Sequence, residues 1–106
     1  MLQISTASLE YVRVAVSANA SGTAIDPTGS TVQMAFMATE SAPSVSDWKS
    51  ATWETDTSTN PDTYHARCLV GPAGAATLTA GTYVAWVKVL SSPETPVLRC
   101  GYLRVV

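Results

Sequence analysis

The sequence predicts an all-β domain, an antiparallel β-sandwich of six to seven strands, and three observations carry this prediction. Segments of alternating apolar and polar residues recur along the chain, as expected for strands that bury one face. Clusters of Gly, Pro, Ser, Thr and Asp separate these segments. The segment 78–90 joins a glycine, a tyrosine and a long β-prone run, which is typical of a central strand late in a sandwich.

The first two strands follow from plain alternation. Residues 9–16 carry valine at every second position, and residues 31–38 continue the pattern with valine, methionine and phenylalanine. Between them, Asp26-Pro-Thr-Gly29 has the residues of a type I turn, so the chain is expected to reverse there. The inward side chains predicted for these strands are Val12, Val14, Val16, Val32, Met34 and Phe36.

The connection at 40–48 is polar and has room for one helical turn over 45–49, entered at Ser44 or Ser46. A third strand at 51–55 places Trp53 where a sandwich usually keeps a large aromatic core residue. Trp48 borders the connection and is expected to be half exposed.

The last three strands are predicted at 63–70, 82–90 and 97–106. A strict period of two would bury one arginine of the last strand, and a bulge at Gly101 removes that conflict by turning Arg99 and Arg104 outward. The inward side chains are then Tyr64, Ala66, Cys68, Val70, Tyr83, Ala85, Val87, Val89, Leu98, Cys100, Leu103 and Val105.

Tyr83 lies where a tyrosine corner is expected, two residues after Gly81 at the start of a late strand. In such a corner the tyrosine hydroxyl returns to the backbone a few residues upstream. The strands and this corner together predict an immunoglobulin-like sandwich. We expect a single domain over 9–106 and an N-terminal arm over 1–8, which docks on a neighbour or on the edge of its own domain.

Composition excludes several classes of function. The net charge is −2 and the six basic residues are scattered, so the sequence lacks the basic footprint of a nucleic-acid-binding protein. No apolar run approaches the roughly 18 residues of a membrane helix, and the expected folding compartment is the cytosol. Cys68 and Cys100 are therefore expected to be reduced, with a disulfide as the alternative.

The sequence offers little for catalysis or metal binding. His65 is the only histidine and is expected to be solvated on a strand, without a partner for acid–base chemistry. One histidine and two cysteines do not complete a four-ligand zinc site. The glycines at 71 and 74 lack the helix and lysine of a phosphate loop. We expect no enzyme activity, no cofactor and no metal.

Binding is the class that remains, and the ligand is either a sugar or a protein. Trp48, Tyr11 and Tyr102 are aromatic candidates for stacking on a glycan, but a sugar site also needs Asn, Asp, Gln and Arg around the stacked ring, and none of the two Asn and two Gln lies beside Trp48. A protein contact has better support. With Tyr83 inward, the alternation turns Val84, Trp86 and Leu90 to the opposite face, where an isolated domain normally exposes polar residues.

That apolar stripe is expected to be covered. The occupants considered are the Leu2–Ile4 arm of the same chain, the same arm from a neighbouring copy, or another partner, and we favour the neighbour. The predicted interface residues are Leu2, Ile4, Val84, Trp86 and Leu90.

Seven segments of the chain carry a resemblance to known proteins: Asp26–Gly29, Val32–Phe36, Asp47–Lys49, Thr52–Glu54, Ala66–Gly71, Leu78–Tyr83 and Trp86–Val89. With them the sequence resembles a group of small virion proteins of tailed bacteriophages that infect actinobacteria, and more loosely the immunoglobulin-like domain of phage baseplate upper proteins. The first resemblance runs from Leu9 to Val105. It implies a structural component in the head, neck or tail, assembled in the host cytoplasm with other virion proteins and copies of itself, and it implies no catalytic residue.

Overall fold

A computed structural model describes residues 2–16, 18–20, 23–25, 27–59, 62–90 and 95–106. The described chain is all-β, and single turns of 3-10 helix lie at Pro27–Gly29 and Val45–Asp47. The strands are β1 Leu2–Ile4, β2 Glu10–Val16, β3 Ala18–Ala20, β4 Thr23–Ile25, β5 Thr31–Met37, β6 Lys49–Ser50, β7 Thr52–Asp56, β8 Thr63–Val70, β9 Gly81–Leu90 and β10 Val97–Val105.

Two sheets pack against each other, which confirms the predicted β-sandwich. The larger sheet has the order β1-β10-β9-β5-β6, and the smaller one has the order β2-β8-β7. A separate short hairpin pairs β3 with β4. All pairings are antiparallel except that of β1 with β10, which is parallel.

The core lies between the two sheets and consists of the side chains that alternation turns inward. Val12 and Val16 of β2 and Cys68 of β8 are buried in it, together with Val32, Met34, Val87 and Leu103 of the larger sheet. Val14, Phe36, Trp53 and Tyr83 are partly buried against them. The predicted facing of β2, β5, β8 and β9 is therefore confirmed, because a period of two fixes the side that each strand buries.

The tyrosine corner and the bulge also form as predicted. The Tyr83 hydroxyl donates a 2.8 Å hydrogen bond to the carbonyl oxygen of Thr79. The register of β10 against β9 shifts between Arg99 and Gly101, and Arg99 and Arg104 are exposed.

Two inward assignments on β10 are wrong. Cys100 is the extra residue of the bulge and is exposed, so it is not buried in the core with Cys68. Leu98 lies opposite Val87 but keeps 42% of its surface exposed. The smaller sheet has three strands and the larger sheet has five, so the smaller sheet does not cover this part of β10.

The structure also adds short strands that the sequence did not predict. The N-terminal arm docks on its own domain, where β1 pairs with Leu103–Val105, rather than on a neighbour. The polar segment after β2 contains the β3–β4 hairpin, and β6 follows the predicted helical turn, which Ser44 precedes. Pro27–Gly29 form a 3-10 turn, whereas Asp26 of the predicted type I turn and residues 91–94 of the last hairpin lie outside the described residues.

Candidate interaction surfaces

The outer face of the larger sheet carries the residues predicted to form an interface. Val84 lies opposite Tyr102 of β10 and Met37 of β5, and Trp86 lies opposite Arg99 and Ala35. Residues directly opposite one another in a sheet share a face. The face opposite Tyr83 is therefore built from β5, β9 and β10 together.

Residues 38–48, which we call the strap, connect β5 to β6 and cross this outer face. Glu40 is three residues past the end of β5, yet its carboxylate accepts hydrogen bonds from Arg99 Nη2 at 2.6 Å and from the Tyr102 hydroxyl at 2.8 Å, both on β10. Because β9 lies between β5 and β10, these hydrogen bonds bridge the outer face of β9. The strap, together with the side chains of Arg99 and Tyr102, therefore covers the stripe that contains Val84 and Trp86.

A second contact holds the other end of the strap. The Lys88 ammonium lies 4.6 Å from the centre of the Trp48 ring, which is cation–π distance. Trp48 is half-buried as predicted, and it directly precedes β6 at the sheet edge. Since Lys88 occupies the ring, Trp48 is a poorer platform for a sugar than the sequence suggested.

The cover over β9 is incomplete in one respect. Trp86 is half-buried, and its Nε1 donor is shielded from solvent without a hydrogen-bond partner among the described residues. Trp53 makes a useful contrast, because its Nε1 donates a 2.7 Å hydrogen bond to the Ser30 carbonyl. A buried donor without a hydrogen bond destabilises the fold. The strap therefore shields the Trp86 indole N–H from water without giving it an acceptor.

The predicted interface residues therefore have different outcomes. Ile4 is buried within its own domain beside Val105, and Val84 is only 4% exposed beneath the strap, so neither is available as surface. The side chain of Leu2 is not among those described. Trp86 keeps part of its surface, and Leu90 is 39% exposed. The stripe was expected to be covered, and its cover is the chain's own strap, which was not among the occupants considered.

A second cluster lies on the outer face of the smaller sheet. We call Tyr11, Arg13, Arg67 and Glu54 the Tyr11 cluster. The Arg67 guanidinium lies 4.3 Å from the centre of the Tyr11 ring, and the Arg13 guanidinium lies 5.7 Å from it. Glu54 bridges both arginines, with contacts of 2.8 Å to Arg13 Nε and 3.1 Å to Arg67 Nη1.

Neighbouring arginine and tyrosine side chains lower the pKa of the carboxyl group in the Tyr11 cluster and of that in the cluster of Glu40, Arg99 and Tyr102. Hydrogen bonding from Arg13, followed by the nearby positive charges of Arg13 and Arg67, lowers the pKa of Glu54. Hydrogen bonds from Arg99 and then Tyr102 lower the pKa of Glu40. Both carboxyls are therefore ionised at neutral pH, and both clusters are ion-paired.

The residues considered for catalysis or redox chemistry lie apart from these clusters or have no partner. His65 is half-buried rather than solvated, and its Nδ1 has no hydrogen-bond partner among the described residues. Both thiols are free, and burial raises the pKa of Cys68 to about 11. In the described part of the chain, no three His, Cys, Asp or Glu residues are grouped closely enough to hold a metal. Likewise, none of its helices has the length and apolar character needed to span a membrane.

The exposed edge of β10 is less suited to binding than the two faces. β1 pairs only with Leu103–Val105, and the preceding part of β10 has no outer neighbour within the described residues. The bulge at Cys100 interrupts this edge, and bulges on edge strands oppose pairing with another strand.

Neither the Tyr11 cluster nor the cluster of Glu40, Arg99 and Tyr102 was predicted from the sequence, although the alternation contained part of the evidence for the first. The alternation already turned Tyr11 and Arg13 outward on β2 and Arg67 outward on β8, so pairing these strands would have brought them together. Glu40 left no comparable signal, because it lies in a connection. Comparison with known proteins adds no information on function, since no family model, curated protein or solved structure matches the chain.

Proposed function

We propose that this chain is a non-enzymatic structural component of a tailed-phage virion, in the head, neck or tail, and that it acts through contacts with other virion proteins and with copies of itself. The assignment to a virion follows from the resemblance of the sequence. The assignment to protein contact follows from the surfaces of the sandwich.

The observation that carries protein contact is the composition of the two outer faces. Each face presents a tyrosine beside arginine, the Tyr11 cluster on one sheet and Tyr102 with Arg99 on the other. Tyrosine and arginine are enriched at protein interfaces and dominate their binding energy. Large apolar side chains are also exposed, including Leu9 beside the Tyr11 cluster and Leu90 at the end of β9.

The strand order supports an immunoglobulin-like arrangement within the sandwich. In that fold, one sheet of a variable-type domain has the order G, F, C, C′, and the other contains B, E and D. The order β10-β9-β5-β6 corresponds to the first and β2-β8-β7 to the second. The Tyr83 hydrogen bond to Thr79 at the start of β9 fits the same scheme.

The proposed function is tested by looking for the chain in purified particles of the phage or prophage whose genome encodes it. Mass spectrometry should detect it there together with the major capsid and tail proteins. Its absence from intact particles, with abundant protein in the lysate, would contradict the proposal.

A carbohydrate-binding module is the second candidate, and the Tyr11 cluster is the observation that favours it. The structure places two arginines and a glutamate around an exposed aromatic ring, which supplies polar groups that the sequence did not place there. Against it, Arg67 already occupies one side of that ring. Binding on a glycan array that is lost in Tyr11→Ala would favour this module over the virion role.

A further inference from the structure

The outer face of the smaller sheet contains two arginines directly opposite one another. Arg13 of β2 pairs in register with Arg67 of β8. Like charges in directly opposed positions destabilise a sheet unless something offsets them. Here a single carboxylate, that of Glu54, contacts both guanidinium groups.

The two arginine clusters, Arg13 with Arg67 on the smaller sheet and Arg99 on the larger one, differ by one carboxylate. On the larger sheet, Arg99 is matched by Glu40, so that cluster is neutral. On the smaller sheet, Arg13 and Arg67 share Glu54, so the Tyr11 cluster keeps one net positive charge although the chain as a whole carries −2. The Tyr11 cluster is therefore one acid short of charge balance.

The guanidinium groups retain donors that Glu54 does not use. Arg13 uses Nε for Glu54, and neither of its terminal nitrogens bonds to another described residue. Arg67 uses Nε for Thr52 and Nη1 for Glu54, which leaves Nη2. The Arg13 side chain is 47% exposed, so a ligand can reach it.

Apolar surface adjoins these donors. Tyr11 is 38% exposed, and Leu9, two residues before it, is 52% exposed. Leu69 lies opposite Tyr11 on β8 and is half-buried. A segment that lies here could therefore place an acid against the arginines and an apolar side chain against Leu9 and Tyr11.

We propose that the outer face of the smaller sheet docks an acidic segment of a different protein, whose Asp or Glu carboxylate binds between Arg13 and Arg67 while a neighbouring apolar side chain packs on Leu9 and Tyr11. Charge complementarity selects this occupant, because guanidinium pairs bind carboxylate with short, directional hydrogen bonds. A second copy fits less well, since four of the six carboxylate side chains of the described residues, Glu40, Asp47, Glu54 and Asp56, are already held by hydrogen bonds, which leaves it Glu10 and Asp62 to offer. The proposal rests on the proposed role in protein contact.

The test uses the ¹⁵N-labelled full chain and the peptide acetyl-Gly-Glu-Leu-Glu-Gly-amide, with the Gln-Leu-Gln peptide as the uncharged probe. We expect the Nε–H signals of Arg13 and Arg67 to shift with a Kd on the order of 1 mM, while the Arg99 signal stays in place. Arg13→Gln should weaken binding about tenfold because it removes charged hydrogen bonds, and Arg99→Gln is the matched control that should leave binding unchanged. Added salt should weaken binding of the acidic peptide.

Equal binding of both peptides, equal binding by Arg13→Gln, or no shift at ~10 mM peptide, roughly ten times the expected Kd, would overturn the proposal. So would a wild-type dimer in analytical ultracentrifugation that Arg13→Gln dissociates, since the occupant would then be a second copy. These failures differ from failure of the virion role. If the chain is found in particles but does not bind the acidic peptide, only this inference is contradicted. If it binds the peptide but is missing from particles, only the virion role is contradicted.

Discussion

Glu40 and Arg99 lie 59 positions apart in the chain, and their side chains meet at 2.6 Å above the outer face of the larger sheet. This ion pair, with the hydrogen bond from Tyr102, holds the strap over β9. The strap buries Val84, which a sandwich of this kind would otherwise expose to water.

Replacing Glu40 should loosen the strap and open the surroundings of Trp86. In Glu40→Gln the ion pair to Arg99 is lost, so water should reach the Trp86 indole N–H more often. Hydrogen exchange of the three tryptophan indole protons, followed by NMR, measures this directly. Trp86 should exchange faster than in the wild type, while Trp53, bonded to Ser30, serves as the internal control and keeps its rate. Unchanged exchange at Trp86 would show that Glu40 does not hold the strap.

The same ion pair predicts a dependence on pH. Hydrogen bonds from Arg99 and Tyr102 hold the pKa of Glu40 below its ordinary value of 4.5 in the folded chain. A lowered folded-state pKa stabilises the fold above the unfolded pKa, and this stabilisation is lost as pH falls through the folded pKa. The wild type should therefore melt higher than Glu40→Gln at pH 6, and the two melting curves should converge below pH 4.5. A difference in Tm that does not shrink as the pH falls below 4.5 would contradict this assignment.

Alternation predicted the core side chains of β2, β5, β8 and β9, because strand facing is a local property. It did not predict that Leu98 and Cys100 of β10 are exposed, since that depends on how far the other sheet extends. The corner at Tyr83 and the bulge before Gly101 were predictable, since each follows from a few neighbouring residues. The strap was not predictable, because it depends on where a loop residue meets a strand far along the chain. The error at Val84 has this origin: its facing was right, and its cover came from elsewhere in the sequence.

The Tyr11 cluster shows a second kind of limit. Tyr11, Arg13 and Arg67 were assigned to the correct outer face, but the charge imbalance appears only once Arg13 is known to pair with Arg67. Strand pairing is non-local, and a single sequence contains no direct record of it. The short strands β1 and β6 were missed because two or three residues cannot show a period.

The tyrosine corner predicts a measurable loss of stability. Tyr83→Phe removes the hydroxyl that donates to Thr79, and a lost hydrogen bond of this kind costs about 1 kcal/mol in the free energy of unfolding. Urea denaturation provides the measurement. Tyr11→Phe is the matched control, because the Tyr11 hydroxyl has no hydrogen bond to a described residue, and its effect should stay within about 0.5 kcal/mol. Equal effects of the two substitutions would argue against the corner.

Alanine substitutions at three glycines distinguish the cost of backbone strain from the cost of a steric clash. Gly71 has φ +139°, and a Cβ there would lie 2.2 Å from the Ser8 carbonyl oxygen, whereas Gly101 has φ +133° and open space around it. Gly101→Ala should cost about 1–3 kcal/mol from strain alone, and Gly71→Ala should cost more. Gly29→Ala, which meets nothing within 4 Å, is the control. Urea denaturation that gave equal losses at Gly71 and Gly101 would show that the contact with Ser8 carries no cost.

The proposed role as a built-in virion component is tested most directly by the distribution of the chain between assembled particles and soluble protein. Particles are separated on a density gradient, and quantitative mass spectrometry compares the chain with the major capsid and tail proteins in every fraction. The account predicts that the chain travels with the particles at a fixed ratio to one of these proteins and remains after a high-salt wash. A chain that stays in the soluble fractions, or whose ratio varies from fraction to fraction, would contradict it.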